Sequence, residues 1–225
     1  PTPSSAASDV YKRQDNAYYL DTGWVSSDST IELPNSSSIW IADKNTIGVN
    51  EPVKLTWTSD QNITFEKIIT LDENYLFSVD QRVINNSGLS FDLYPYGLSK
   101  RQGIPEMQNF FILHEGPLSI TDGVLEEYDY DDLKDDKKIK HSSVGGWIGM
   151  TDKYWQTAII PNQNEPVQQT YSYSFVDNID NFQTDIVGER IAVSNNASIS
   201  HNFKIFAGPK IVNIIDKYME EYGFD

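Results

Sequence analysis

Along most of the chain, apolar residues alternate with polar ones at a period of two, the spacing that turns one face of a strand toward a core. Val53, Leu55 and Trp57 are separated by Lys54 and Thr56. Asp60-Gln61-Asn62 then turns the chain into a second apolar run at 63–68. Asp72-Glu73-Asn74 turns it again into Tyr75, Phe77, Val79, Gln81 and Val83. Asn85-Asn86-Ser87-Gly88 leads on to Phe91, Leu93 and Tyr94-Pro95-Tyr96. Strands joined by turns this short predict an antiparallel meander. Before it come brief signals at Tyr18-Tyr19-Leu20, Trp24-Val25, Ile31 to Leu33 and Ile39-Trp40-Ile41, split by Asp, Ser, Asn, Gly and Pro. After it, 100–105 reads as a loop and 109–113, 118–120 and 124–130 as shorter strands. Residues 145–161, GGWIGMTDKYWQTAIIP, read as a tight hairpin of two apolar strands, whose glycines suggest close approach of neighbouring backbones. Three more strands are expected near 169–176, 182–187 and 199–207. A count of roughly ten or more suits a large antiparallel sandwich better than a small barrel, and the fold class expected is all-β.

The period changes at the end of the chain. Phe203 to Ala207 read as a strand, Gly208-Pro209 as a turn, and the residues after it as an amphipathic helix over 209–225. Pro209 suits a first helical position, because it needs no N–H partner there and its φ is already helical. Ile211, Ile214, Ile215, Tyr218 and Tyr222 then recur at three- and four-residue spacing on one face, and Gly223 supplies a stop. Such a helix either closes one end of a β domain or couples it to something beyond.

The chain of 225 residues is long enough for one large β domain with an ordinary core. Its first fourteen residues stand apart. SSAASDVYKRQ, from Ser4 to Gln14, is what a transposase sequencing adapter encodes when read in frame, so 1–14 is expected to be a non-native scar. Native sequence would then begin near Asp15, truncated at its N-terminus. That gives three expected units: the scar at 1–14, a β domain at 15–208 and a linker helix at 209–225. Cysteine is absent, which excludes disulfides and thiolate metal sites. Net charge is −16 with no basic cluster, so nucleic acid is not an expected partner and a polybasic attraction to anionic lipid is disfavoured. No window approaches about 20 apolar residues, the length a membrane-spanning helix needs.

Candidate chemistry is sparse. His114, His141 and His201 form no HxH or HxxxH pair, so neither a catalytic nor a metal site has a local signature, and no cofactor is expected. His201 alternates with Ile199, Phe203 and Ile205, which predicts a packed or half-buried ring. No nucleophile elbow and no glycine-rich phosphate loop occur. The acidic run at 126–138, EEYDYDDLKDDKK, lacks the spaced Asp/Gly/Glu order of a calcium loop and is expected to be a solvated strand end and loop. The aromatics (5 Trp, 13 Tyr, 10 Phe) could floor a sugar or peptide cleft, though at strand spacing they more often make core.

Two motifs carry a resemblance. Gly145-Gly146-Trp147, followed by Tyr154-Trp155 and by Thr157-Ala158-Ile159-Ile160-Pro161, resembles a signature of the large periplasmic domain of the YidC membrane protein insertases. Phe206-Ala207-Gly208-Pro209-Lys210 resembles its second signature. Thr64-Phe65-Glu66-Lys67 with Asp72-Glu73-Asn74-Tyr75, and Asn109 to Gly116, add support, the last similar to the alphaproteobacterial branch. The resemblance implies a β-supersandwich similar to galactose mutarotase with a C-terminal amphipathic α-helix, on the periplasmic face of the bacterial inner membrane. Implied partners are nascent inner-membrane proteins, Sec translocon components and a transmembrane insertase core whose spans are not in this sequence. Gly145, Gly146, Trp147, Tyr154, Pro161, Gly208 and Pro209 would be structural signature positions; Ile211, Ile214, Ile215, Tyr218 and Tyr222 would form the docking face. Two further classes stay open: a carbohydrate- or peptide-binding module, and an aldose epimerase, for which matching acid and base motifs are missing.

Overall fold

The computed structural model describes residues 17–105 and 114–211, together with Asn213, Ile214, Tyr218 and Tyr222. Within them, antiparallel strands build two sheets. The smaller runs β1 (Tyr18–Val25), β6 (Phe91–Gln102), β13 (Ile179–Gly188), β12 (Pro166–Val176) and β9 (Lys138–Val144), with the short β14 (Ile191–Val193) also pairing on β6. The larger runs β2 (Ile41–Ala42), β3 (Val53–Thr58), β4 (Ile63–Leu71), β5 (Leu76–Asn85), β15 (Ser198–Pro209), β11 (Trp155–Ile160), β10 (Trp147–Thr151), β7 (Gly116–Thr121) and β8 (Val124–Glu127). The expected β-sandwich is what forms.

Alternation explains how the layers meet. Ile148 and Met150 of β10, Ile159 of β11 and Phe203 of β15 face Tyr171 of β12 and Phe182 and Ile186 of β13 in a dry inner cluster. A second inner cluster joins Ile63, Phe65 and Val83 to Trp24, Phe91 and Leu93. Each such side chain stabilises the sandwich by about 1.5–3 kcal/mol. The alternate apolar residues of β10 and β11 (Trp147, Ala158 and Ile160) point to the opposite face of the larger sheet, and they are buried as well. Strands apolar on both faces need cover on both.

Several expectations are corrected. The meander ends at Asn85: β6 crosses to the smaller sheet and pairs with β1 and β13. Alternation fixes which face a strand buries, but not which sheet receives it. Residues 100–102, read as loop, continue β6. Ile31 to Leu33 form no strand, while Ile191–Val193 does. The strand read at 124–130 stops at Glu127, and the acidic run folds into a helix, α1 (Tyr130–Asp136). Its two apolar residues, Tyr130 and Leu133, lie one turn apart and plug the inner core, while the Asp132 carboxylate accepts the N–H of Asp129. Only two apolar positions inside a dense charge run gave too weak a period to read. The strand read at 109–113 lies outside the described residues.

The chain end also differs. No turn forms at Gly208-Pro209; β15 runs through both, with Pro209 opposite Trp155. Proline is tolerated at a strand terminus, where its missing N–H breaks no further ladder, and the Lys210 N–H takes over by donating to the Tyr154 carbonyl at 2.8 Å. Pro209 is therefore not a first helical residue. Asn213, Ile214, Tyr218 and Tyr222 have helical backbone; Ile215 and the positions among and after them in the expected helix lie outside the described residues.

Candidate functional site

The outer face of the larger sheet carries an apolar seam. Leu76, Leu118, Ile120, Trp147, Ala158, Ile160 and Phe206 come from β5, β7, β10, β11 and β15. Tyr218 and Tyr222 are buried on this face, and Ile214 packs against it half-buried. The Tyr218 ring lies 6.1 Å from Phe206 and 6.2 Å from Tyr222, with Lys204 Nζ 5.7 Å from the Tyr222 ring. The Tyr218 hydroxyl donates to Asp72 Oδ2. The other oxygen of Asp72 accepts the N–H groups of Asn74 and Leu76 at 2.8 and 2.9 Å, so one carboxylate ties the β4–β5 turn to the tail.

Backbone shape makes room for the seam. Gly146 has φ +73°, and a Cβ there would sit 2.0 Å from the Ile120 carbonyl oxygen. Gly149 has ordinary φ, but its Cβ would meet the Thr157 carbonyl oxygen at 1.8 Å. Close approach of β10 to β7 and β11 thus requires glycine at both positions. Gly145 and Pro161 flank the same hairpin, and Gly208 lies under Tyr75. Of the residues expected to dock, the structure brings Ile214, Tyr218 and Tyr222 into the seam that contains Trp147. It does not bring Ile211, which is 47% exposed; Tyr154, expected as a structural signature position, is 65% exposed at the β10–β11 tip. Asp72, Phe206 and Lys204 were not foreseen as contacts of the docking face; Asp72 read as a turn and Phe206 as strand, though both lie in stretches that carry the family resemblance.

That tip is held rigidly. Arg101 Nη1 donates to both oxygens of Asp152 at 2.6 and 2.7 Å, and its guanidinium stacks 5.1 Å from the Tyr18 ring. The Tyr18 hydroxyl lies 2.6 Å from Thr157 Oγ1, and burial pushes its pKa up to about 12. The Asp152 N–H donates to the Trp155 carbonyl at 2.7 Å.

A separate cleft of about 740 Å³ opens where β1 and β6 meet β3–β5 beneath the 34–40 loop. Tyr19, Trp24, Trp40 and Tyr96 wall it. Lys67 Nζ lies 5.3 Å from the Trp40 ring and donates to the Thr22 carbonyl. The buried Gln81 donates to the Gly23 carbonyl at 3.4 Å, while its Oε1 finds no partner among the described residues. No histidine lines this cleft. His114 lies 3.1 Å from the Pro117 carbonyl and His141 lies 2.9 Å from the Tyr128 hydroxyl. His201 lies 3.2 Å from Glu165, half-buried between Trp24 and Phe203 as its alternation predicts. Burial lowers its pKa more than Glu165 raises it.

In architecture the chain is similar to a galactose mutarotase related enzyme from Lactobacillus acidophilus, with a TM-score of 0.55 at 11% identity over 78% of this chain and 75% of that one. This defines the class, a mutarotase-like β-sandwich, and the fold alone. By sequence, residues 8–225 match the family described as YidC periplasmic domain, and the chain belongs to that family. It is 38% identical over 210 residues to a membrane protein insertase YidC of Rickettsia canadensis, covering 93% of this chain and 38% of the relative. To the membrane protein insertase YidC of Pelagibacter ubique it is 38% identical over 213 residues, covering 94% and 37%. The chain thus spans little more than a third of the length of these curated relatives. Among the described residues, no helix is long and apolar enough to cross a membrane.

Proposed function

We propose that this chain is the non-catalytic periplasmic domain of a membrane protein insertase at the bacterial inner membrane. Its clients would be nascent inner-membrane proteins, received alone or beside Sec translocon components. The rigid sandwich offers a surface, and the tail on the seam joins that surface to the insertase core. The observation supporting this reading most is the seam: a domain of this family ties its last residues to its sheet through buried tyrosines and one carboxylate, a joint able to transmit position. The test is Tyr218→Asp in the full-length insertase carrying this domain. The expected result is impaired insertion of a client protein with the sandwich still folded; a wild-type insertion rate would refute the joint. For catalysis, polarimetry on α-galactose should show only the spontaneous rate, and acceleration by this chain would overturn the non-catalytic reading. The unpartnered Gln81 Oε1 among aromatic walls favours one second reading, a carbohydrate- or peptide-binding cleft; flat calorimetric titrations with glycans and extended peptides would remove it.

A further inference from the structure

The cleft beneath the 34–40 loop follows the edge of a sheet. β1 is the terminal strand of the smaller sheet, and among the described residues it pairs with β6 alone. A strand that shows a pocket one face contributes every second residue, but residues 21–25 line this cleft in succession. The cleft therefore runs along the open side of β1, where main-chain groups point. Thr22 shows which ones. Its N–H donates to Asp21 Oδ1 at 2.8 Å and its carbonyl accepts Lys67 Nζ, so both turn away from β6. At a period of two, the N–H and carbonyl of Trp24 turn the same way. Trp24 also stands opposite Pro95, which has no N–H to give it.

The lining names the occupant. Asp21 and Lys67 hold Thr22 and each other, Asn35 Oδ1 accepts from Ser37, and Glu66 pairs with Lys54. Among the described residues, the buried lining atom left without a partner is Oε1 of Gln81, a residue 1% exposed. A sugar ring brings several hydroxyls, each needing a partner once dry, and one acceptor cannot serve them. A peptide brings main-chain groups that match a strand edge. The walls then select its side chains, because successive residues of an added strand alternate between the two faces of the sheet. One set would meet Trp24, Trp40 and Phe65, and the other Tyr19, Tyr96 and Leu98. Both sets are therefore apolar. We infer that β1 takes up an extended, uncharged apolar peptide as an added strand, one of whose donors reaches Gln81 Oε1. The Asp21–Lys67 pair, 3.3 Å apart, guards Thr22 against stray pairing. A guard alone would need neither about 740 Å³ of space nor a buried acceptor. The inference deepens the second reading above: it rests on the cleft rather than on the tail, and it selects peptide over carbohydrate.

The probe is a fluorescein-labelled octapeptide of alternating leucine and valine, with a polyether tail for solubility. Its fully N-methylated analogue keeps the side chains and loses every N–H. Fluorescence anisotropy with the wild-type chain should show saturable binding of the first peptide, and at least about tenfold weaker binding of the second. Gln81→Leu, shown to be folded by circular dichroism, should weaken the first about tenfold as well. Amide exchange followed by nuclear magnetic resonance should slow at Trp24 on binding, while Gly23 and Val25, already turned to β6, stay as they were. Equal affinities for the two peptides, unchanged exchange at Trp24, or no peptide binding overturns strand addition. Glycan binding with both peptides silent retains the cleft as a site and removes this occupant, whereas silence from glycans and peptides alike removes both. The Tyr218→Asp insertion assay is independent of either result.

Discussion

Two separable forces tie Tyr218 to the sheet, so substitution can divide them. Its ring is 2% exposed in the outer seam, and its hydroxyl donates to Asp72 Oδ2. Tyr218→Phe keeps the ring and removes the donor. A hydrogen bond to a charged group contributes about 1.5–3 kcal/mol when buried. Asp72 is only half-buried and water can replace the donor on its open side, so the expected loss is nearer about 1 kcal/mol, or roughly 2–4 °C in Tm for a domain of this size. Tyr218→Ala deletes the ring as well, and truncating a buried aromatic costs about 3–5 kcal/mol. Much of that loss should appear as local release of the tail before global unfolding. Thermal melts read the first effect. Hydrogen-exchange mass spectrometry of β10, β11 and β15 reads the second, since release uncovers the face carrying Trp147 and Phe206. If Tyr218→Ala melts with Tyr218→Phe and exchanges no faster, the ring does not hold the tail and the reasoning fails.

Three further outcomes are expected. Gly149→Ala should fail to fold or lose more than about 3 kcal/mol in urea, because its Cβ would lie 1.8 Å from backbone; Gly23→Ala, with nothing within 4 Å, should cost little by the same assay. Arg101→Met strands Asp152 at the tip and should cost about 2–3 kcal/mol in urea unfolding, less than a fully buried pair because Asp152 is a quarter exposed. His201 gives the pH dependence: its folded pKa lies below the ordinary 6.5, so the unfolded chain binds the proton first as pH falls. The stability that the neutral ring supplies is therefore complete above 6.5 and lost on the way down to the folded value. The drop in Tm between about pH 7.5 and about pH 5 should be smaller in His201→Gln, and an equal drop would refute this assignment.

Much of the strand content was legible because it is local. Val53-Leu55-Trp57 and the turns at Asp60 and Asp72 fix β3, β4 and β5 from neighbouring residues alone, and GGWIGM fixes a hairpin whose backbones must touch. What escaped depends on distance or on weak periods. The crossing of β6 to the second sheet is decided by β1 and β13, far away in sequence. The cleft gathers Trp24, Trp40, Lys67, Gln81 and Tyr96 from four strands and a loop, so no window contains its pattern. The Tyr218–Asp72 tie joins residues 146 positions apart. Pro209 misled because its fixed φ suits a helix start and a strand end almost equally.

The claim on which the rest turns is that the tail lies on the outer face of the larger sheet. A nuclear Overhauser spectrum of the labelled chain tests it most directly. Cross-peaks between the Tyr218 and Phe206 rings, with centroids 6.1 Å apart, and between Tyr222 and the Lys204 side chain are the expected result. Tyr218 and Tyr222 at random-coil shifts, with neither set of cross-peaks, would contradict it.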